Sequence, residues 1–477
     1  MVFPDPNFLF FFLPTLLISY YAAPQRWRNA ILMVASVAFY TLGGGLMVVL
    51  LLISIVVDFA AGRIVGRGRA TASDRLVRTG IILSLSANLG LLGYFKYANF
   101  VVDQLNALAA NFGLGTIAWT SVILPIGISF YTFQSMSYTI DIARGRVAPI
   151  RSFSDFALFV SLFPQLIAGP IVRFHEISEE IEHRSTKIDD FSEGVVRFAH
   201  GLIKKVIIAD AAAVIAEPVF ALGSNEITTA AAWLGVFAYT IQIYFDFSGY
   251  SDMAIGLGRM FGFHFPENFR RPYSALSITD FWRRWHITLS NWFRDYVYIP
   301  LGGSRFGTAR TYGNLVAVFL LTGLWHGANW TFVVWGAYHG VLLTIERLSK
   351  QRPVGDDAPE SALRRVYTLM AVVVGWVLFR ADSLSHAGAI LSAMFSFQSG
   401  TLPPEVALAL TTRVQITLVL AGLTVLLPRS FVGGIVLPLS TRRWAAVGRA
   451  ALVIIGLPYA LAIVSTGSFS PFLYYQF

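Results

Sequence analysis

Apolar runs recur along the whole chain, divided by short polar or basic segments. A bilayer core of about 30 Å takes about 20 apolar residues as a helix. Runs approaching that length occupy residues 8–21, 46–61, 80–94, 122–140, 153–171, 195–220, 230–247, 312–324, 330–345, 366–379, 414–427 and 446–464. A further apolar stretch, 31–40, is followed by Gly43, Gly44 and Gly45, which either kink one long tilted helix or separate two spans. The first run has no basic residue ahead of it, so it is expected to be a retained span rather than a cleaved leader. Internal repeats and shifts of composition are absent. The pattern predicts an all-α, polytopic integral membrane protein forming one domain over residues 1–477, with about 11 to 13 transmembrane helices plus re-entrant or interfacial helices.

Composition strengthens this reading. Of 477 residues, 55% are hydrophobic, 39 are Phe and only 13% are charged, where soluble domains carry about 25%. Mean hydropathy is +0.62, which leaves too little polar surface for a water-soluble globule of this size. With 0 Cys, a disulfide scaffold, a Cys-ligated metal and a thioester to the protein are all excluded. The net charge of +9 is scattered through inter-span segments instead of gathered on one face, so the positive-inside rule accounts for it and nucleic acid is not an expected partner. The densest segment, 62–78, carries Arg63, Arg67, Arg69, Arg75 and Arg78 against Asp74 and is placed in the cytoplasm; 347–365, with Lys350, Arg352 and Arg364, is a second candidate.

Three segments interrupt the apolar pattern. YFDFSGYSDMAIG, from Tyr244, sets Asp246, Ser248, Ser251 and Asp252 into a hydrophobic stretch, where polar groups must line a protein interior or a cavity. SITDFWRRWHITLSNWFRDYVYIP, from Ser277, opens on a capping box of Ser277 and Asp280 and ends at Pro300. One oblique or re-entrant helix is expected over 277–298, since Arg283, Arg284, His286, Asn291, Arg294 and Asp295 cannot face lipid together. GLWHGANW, 323–330, brackets His326 with Gly323 and Gly327, which allow close approach of backbone or ligand. Two roles are open to His326, a functional imidazole at membrane depth or an interhelical hydrogen bond to a carbonyl. The same choice applies to His286, while Arg283 and Arg284 suit either anionic headgroups or an anionic substrate. Trp325, Trp330 and Trp335 are read first as packing or belt residues, although such rings can also stack on a pyranose. His339 is assigned to packing, and His175, His183, His200, His264 and His386 to solvated or interfacial positions. HEISE at His175 departs from HExxH at its fifth position, and GxSxG and Walker motifs are missing, which disfavours zinc, a serine hydrolase and an ATP-driven pump.

Taken with LLGYFKYANF (91–100), LPIGISFYTFQSMSYTID (124–141) and FPQLIAGPIVRF (163–174), these motifs resemble the membrane-bound O-acyltransferase family, and within it the bacterial alginate O-acetyltransferase-like branch. The resemblance runs from the first span to about Ser385; beyond that only a hydrophobic pattern continues. It implies that an acyl group is moved to a hydroxyl within the membrane, with His326 as the catalytic histidine and His286 as a second site residue. Asp246, Ser248, Asp252, Arg283, Arg284, Trp325 and Asn329 form the candidate substrate-binding set. The implied donor is an acetyl thioester, acetyl-CoA or an acyl carrier, with no bound cofactor and no metal. The implied acceptor is a hydroxyl of an extracytoplasmic, alginate-like polysaccharide, or a periplasmic acetylation protein that completes the transfer. The setting is the lipid bilayer of the bacterial inner membrane, crossed many times. D-alanyl or other acyl transfer to an envelope polymer is the neighbouring alternative; a secondary transporter and a scaffolding subunit of an export complex are the alternatives from other classes.

Overall fold

The computed structural model describes residues 1–349, 361–397, 400–427, 443–467 and 472–473, and every regular element among them is helical. The chain is thus all-α and polytopic, as its hydrophobic pattern requires. Lys350 and Arg352 of the second basic segment lie outside the described residues.

Four helical stretches, Gln25–Ala70, Asp74–Asn111, Ala362–Arg380 and Ala446–Ser465, are long and apolar enough to cross a bilayer on length and composition alone. Phe8–Ala22, Leu384–Phe395 and Thr412–Leu426 are shorter apolar helices. Within the apolar windows of the four long stretches only 11% to 44% of residues are buried in protein, and Leu46, Phe11, Ile18 and Ile82 are among many large apolar side chains facing outward. In water such a surface would aggregate; against acyl chains it is at rest.

The remaining apolar stretches are interrupted or carry polar groups along their length, and the interruptions depart from the sequence expectation in ways that have local causes. The glycine run separates two helices: Gln25–Gly44 ends where Gly45 takes φ 56°, ψ −134°, a 3₁₀ turn follows over Gly45–Met47, and Val48–Ala70 begins. The stretch 122–140 becomes helical only at Ile128, after Pro125 and after Gly127 at φ 72°. The stretch 153–171 is divided into Phe153–Ser161 and Phe163–Leu166, because Leu162 turns out of the helix one residue before Phe163–Pro164. Conversely, the helix expected over 230–247 runs on through the polar YFDFSGYSDMAIG text as Thr229–Met260. Single-helix continuity over 277–298 is the clearest correction: the segment folds as Ile278–Trp282, a turn, Ile287–Phe293 and a π-helical turn Arg294–Tyr298.

Backbone packing divides the chain into two compact units, Met1–Gly194 with Leu257–Pro266, and Val195–Gly256 with Glu267–Phe477. In the first, helix Ile128–Ala143 is buried on nearly every side, and Asp58 sits in a polar knot where Asn88 Nδ2 donates to it at 2.7 Å and Ser84 Oγ also donates. In the second, Lys205 Nζ is shared between Asp210 at 2.7 Å and Asp246 at 2.8 Å, so the buried ammonium is paired on two sides.

Also in the second unit, helices Thr308–His326 and Trp330–Leu348 form a tight hairpin. A Cβ on Gly336 would lie 2.3 Å from the Phe319 carbonyl oxygen, and one on Gly323 would lie 2.2 Å from that of Phe332. Glycine is required at both because backbone meets backbone. Gly336→Ala is therefore expected to destabilise the protein by about 1–3 kcal/mol, the usual cost of overpacking. Gly313→Ala, in the same hairpin but with nothing within 4 Å of its Cβ, is expected to leave stability unchanged or slightly raised. Thermal unfolding of the two variants in detergent compares them directly.

Candidate active site

The broken helix is shaped by backbone hydrogen bonds to its neighbours in sequence. Ser277 Oγ accepts from Asp280 N–H at 3.0 Å, the expected N-cap, but the Asp280 carboxylate accepts from Leu276 N–H at 3.2 Å and pairs with Arg284 Nε at 2.7 Å. The buried Glu346 carboxylate accepts from Ile278 N–H at 2.6 Å, Thr279 N–H at 2.9 Å and Thr279 Oγ1 at 2.8 Å. The helix then stops because residues 268–270 take over the backbone: Arg270 N–H donates to the Arg284 carbonyl, and Ile287 N–H to the Asn268 carbonyl, both at 2.9 Å. His286, at the break, is held at φ 45°, ψ 53°, a left-handed conformation that a residue with a Cβ adopts at a cost of about 1–3 kcal/mol.

His326 is the last residue of its helix; Gly327 is extended, and Asn329 starts the next helix by accepting from Thr331 N–H at 3.1 Å. Phe332 closes over Gly327 so tightly that a Cβ there would lie 2.1 Å from the ring. This turn and the break at His286 bring the two imidazoles to 6.5 Å between ring centroids, at 0% and 3% exposure. Trp325 stands edge-on to both, at 5.9 Å from His286 and 4.9 Å from His326. Phe247 packs edge-on to His286 at 4.7 Å, and Trp335 and Phe379 pack edge-on to His326 at 5.1 and 5.0 Å. Trp335 also touches His339 at 5.1 Å, and Trp282 Nε1 donates to His339 Nδ1 at 3.4 Å, so that imidazole is built into the aromatic wall. Chemically, the arrangement sets two imidazoles close together in an aromatic surrounding from which water is excluded.

The other candidate residues separate into groups. Trp325 lies with the histidine pair. Ser248 is buried, and among the described residues its Oγ has no hydrogen-bond partner. Asp246 is engaged by Lys205 and accepts from Leu473 N–H at 2.8 Å. Asp252 is enclosed by Arg197 Nε at 2.7 Å, Lys204 Nζ at 2.6 Å and His200 Nδ1 at 3.3 Å, while Arg197 also forks onto Glu267. His200 thus joins an ion network where sequence suggested a solvated or interfacial group. Arg284 is committed to Asp280, Arg283 is exposed, and Asn329 spends both ends of its amide on capping Trp330–Leu348 and on the Asp382 carbonyl, 3.0 Å away. Sequence reasoning did not single out Asn268, which touches His286, or Glu346, which caps the helix before it. Neither stands in a motif with recognisable spacing.

Comparison with known proteins now adds to this geometry. The sequence profile of the membrane-bound O-acyltransferase family matches residues 147–379. A probable alginate O-acetylase AlgI of Azotobacter vinelandii is 49% identical over 88% of this chain and 83% of its own length. Its counterpart in Pseudomonas putida is 46% identical over 100% of both chains. A peptidoglycan O-acetyltransferase of Helicobacter pylori is 37% identical over 84% of this chain and 81% of its own. Identity of this extent over nearly the full length means that the chain belongs to the membrane-bound O-acyltransferase family and is an O-acyltransferase.

Proposed function

We propose that this protein transfers an acetyl group from a thioester donor, acetyl-CoA or an acyl carrier reached from the cytoplasm, to a hydroxyl of an extracytoplasmic polysaccharide of alginate type, either directly or through a periplasmic acetylation protein. The bacterial inner membrane is the setting this requires, because thioester and polymer lie on opposite sides of it. The observation that carries the reading is the pair of buried imidazoles 6.5 Å apart in a chain whose relatives are named as O-acetylases. Residues 1–477 are taken as one acyltransferase domain, since the family match at 147–379 draws on both compact units.

In the proposed step, His326 accepts the proton of the acceptor hydroxyl as its oxygen attacks the thioester carbonyl. The new C–O ester bond forms, the C–S bond breaks, and the proton is delivered to the departing thiolate. An imidazole suits this because its reference pKa of about 6.5 leaves it mostly neutral, hence basic, near pH 7. With 0 Cys in the chain, direct attack is the simplest route. His286 assists at the same centre as a second hydrogen-bonding group.

His326→Gln is expected to lower acetyl transfer per folded molecule by about 100- to 10,000-fold, the usual worth of general base catalysis, while the protein still inserts and elutes as one species in detergent. Near-normal specific activity would remove His326 from the mechanism. Asp252→Asn makes the opposite prediction: it leaves the half-buried Arg197, Lys204 and His200 without their shared carboxylate, at a cost of about 1–3 kcal/mol, so folded yield should fall. Specific activity of the surviving molecules, measured after size exclusion, should change little. At the level of the host, deleting the chain should abolish O-acetyl esters on the secreted polysaccharide by mass spectrometry; unchanged acetylation would overturn the assignment of acceptor.

A further inference from the structure

Asn268 lies outside the recognisable motifs, is 0% exposed, and contacts the histidine break with both its side chain and its backbone. Its Oδ1 accepts from Thr288 Oγ1 at 2.9 Å and from Thr288 N–H at 3.3 Å, and lies 3.1 Å from His286 Nδ1. Its Nδ2 donates to Ser251 Oγ at 3.2 Å. Its backbone carbonyl accepts from Ile287 N–H at 2.9 Å, so the residue grips the chain immediately after His286 while its side chain reaches the ring.

These contacts decide a question of proton placement. A backbone N–H only donates, so the side-chain atom facing Thr288 N–H must be the carbonyl oxygen, and the amide orientation follows from the network. An amide oxygen carries no hydrogen, so its contact with His286 Nδ1 is a hydrogen bond only if Nδ1 is the donor. A neutral imidazole has one N–H, and Nε2 is therefore left with the lone pair. We propose that Asn268 is a positioning residue that holds His286 as the Nδ1–H tautomer and so keeps the ring's lone pair on Nε2. The left-handed backbone at His286 and the edge-on ring of Phe247 fix the direction in which Nε2 points. The same logic operates wherever an oriented acceptor on one imidazole nitrogen sets the role of the other. The inference rests on the reading that His286 takes part in acyl transfer, and its test separates the two.

The bland alternative is that Asn268 only caps the Ile287–Phe293 helix through Thr288 N–H. The experiment uses the full-length protein in detergent, labelled with ¹⁵N-histidine, with the His286 resonances identified by their loss in His286→Gln. The ¹⁵N shifts of a neutral imidazole distinguish the two tautomers without any substrate. Wild type is expected to show Nδ1–H at His286. Asn268→Asp keeps an oxygen acceptor and should retain that tautomer, with kcat within a few-fold of wild type. Asn268→Leu removes the acceptor and should give a mixed tautomer and a kcat lower by about a hundredfold, the low end of what misplaced acid–base catalysis costs, with KM little changed. An Nε2–H tautomer in wild type, or a folded Asn268→Leu with wild-type kcat, overturns the proposal; if Asn268→Leu does not fold, the wild-type tautomer and the behaviour of Asn268→Asp decide it. Normal activity of His286→Gln alongside an Nδ1–H ring would instead overturn the participation of His286 in transfer and leave the tautomer assignment standing.

Discussion

The constraint on which everything else depends is that a polar group within the membrane must find its partner inside the protein. Hydrocarbon offers no hydrogen bonds, and an unmatched charge or amide there costs several kcal/mol. The chain meets this in two ways. Where charge is unavoidable it is paired in compact networks, as around Asp252 with Arg197, Lys204 and His200, or around Lys205 with Asp210 and Asp246. Where the helix itself is broken, the orphaned backbone groups are collected by neighbouring segments, as residues 268–270 do for Arg284 and Ile287.

Seen in this way, the histidine pair differs from the other polar groups of the second unit. The charged networks lock helices together through ion pairs, whereas His286 and His326 are flanked by the rings of Phe247, Trp325, Trp335 and Phe379. Ring edges of this kind exclude water from both imidazoles. His286, at φ 45° and ψ 53°, adds local backbone strain beside these rings.

Much of this was legible in the sequence, though unevenly. Apolar runs identified the class of fold, and His326 stood out because a histidine between glycines in an apolar setting has few reasons to be there. The glycines themselves proved to serve backbone contact between Thr308–His326 and Trp330–Leu348, one of the two uses open to them. What stayed hidden was whatever depended on tertiary partners. Nothing in SITDFWRRWHITLS says that its helix must break at Arg283, because the cause is a pair of backbone bonds to residues 268–270. Asp246, Asp252, Arg284 and Asn329 read as candidate ligand groups because a polar residue in an apolar run gives the same signal whether it faces a substrate or an internal partner. Asn268 was silent for the converse reason: an Asn in a short polar segment is ordinary until the imidazole beside it is known.

Glu346 carries a consequence for how the two histidine-bearing segments are held. Its carboxylate sits on Trp330–Leu348, the helix entered directly after the His326 turn, and clasps the first backbone amides of Ile278–Trp282, the helix that leads into His286. The two histidine-bearing segments are therefore bolted together at one end by charge-assisted bonds, and at the other they meet through the rings themselves. A bracket of this kind resists separation of the two segments at that end, because pulling them apart would strand a buried carboxylate and three donors at once.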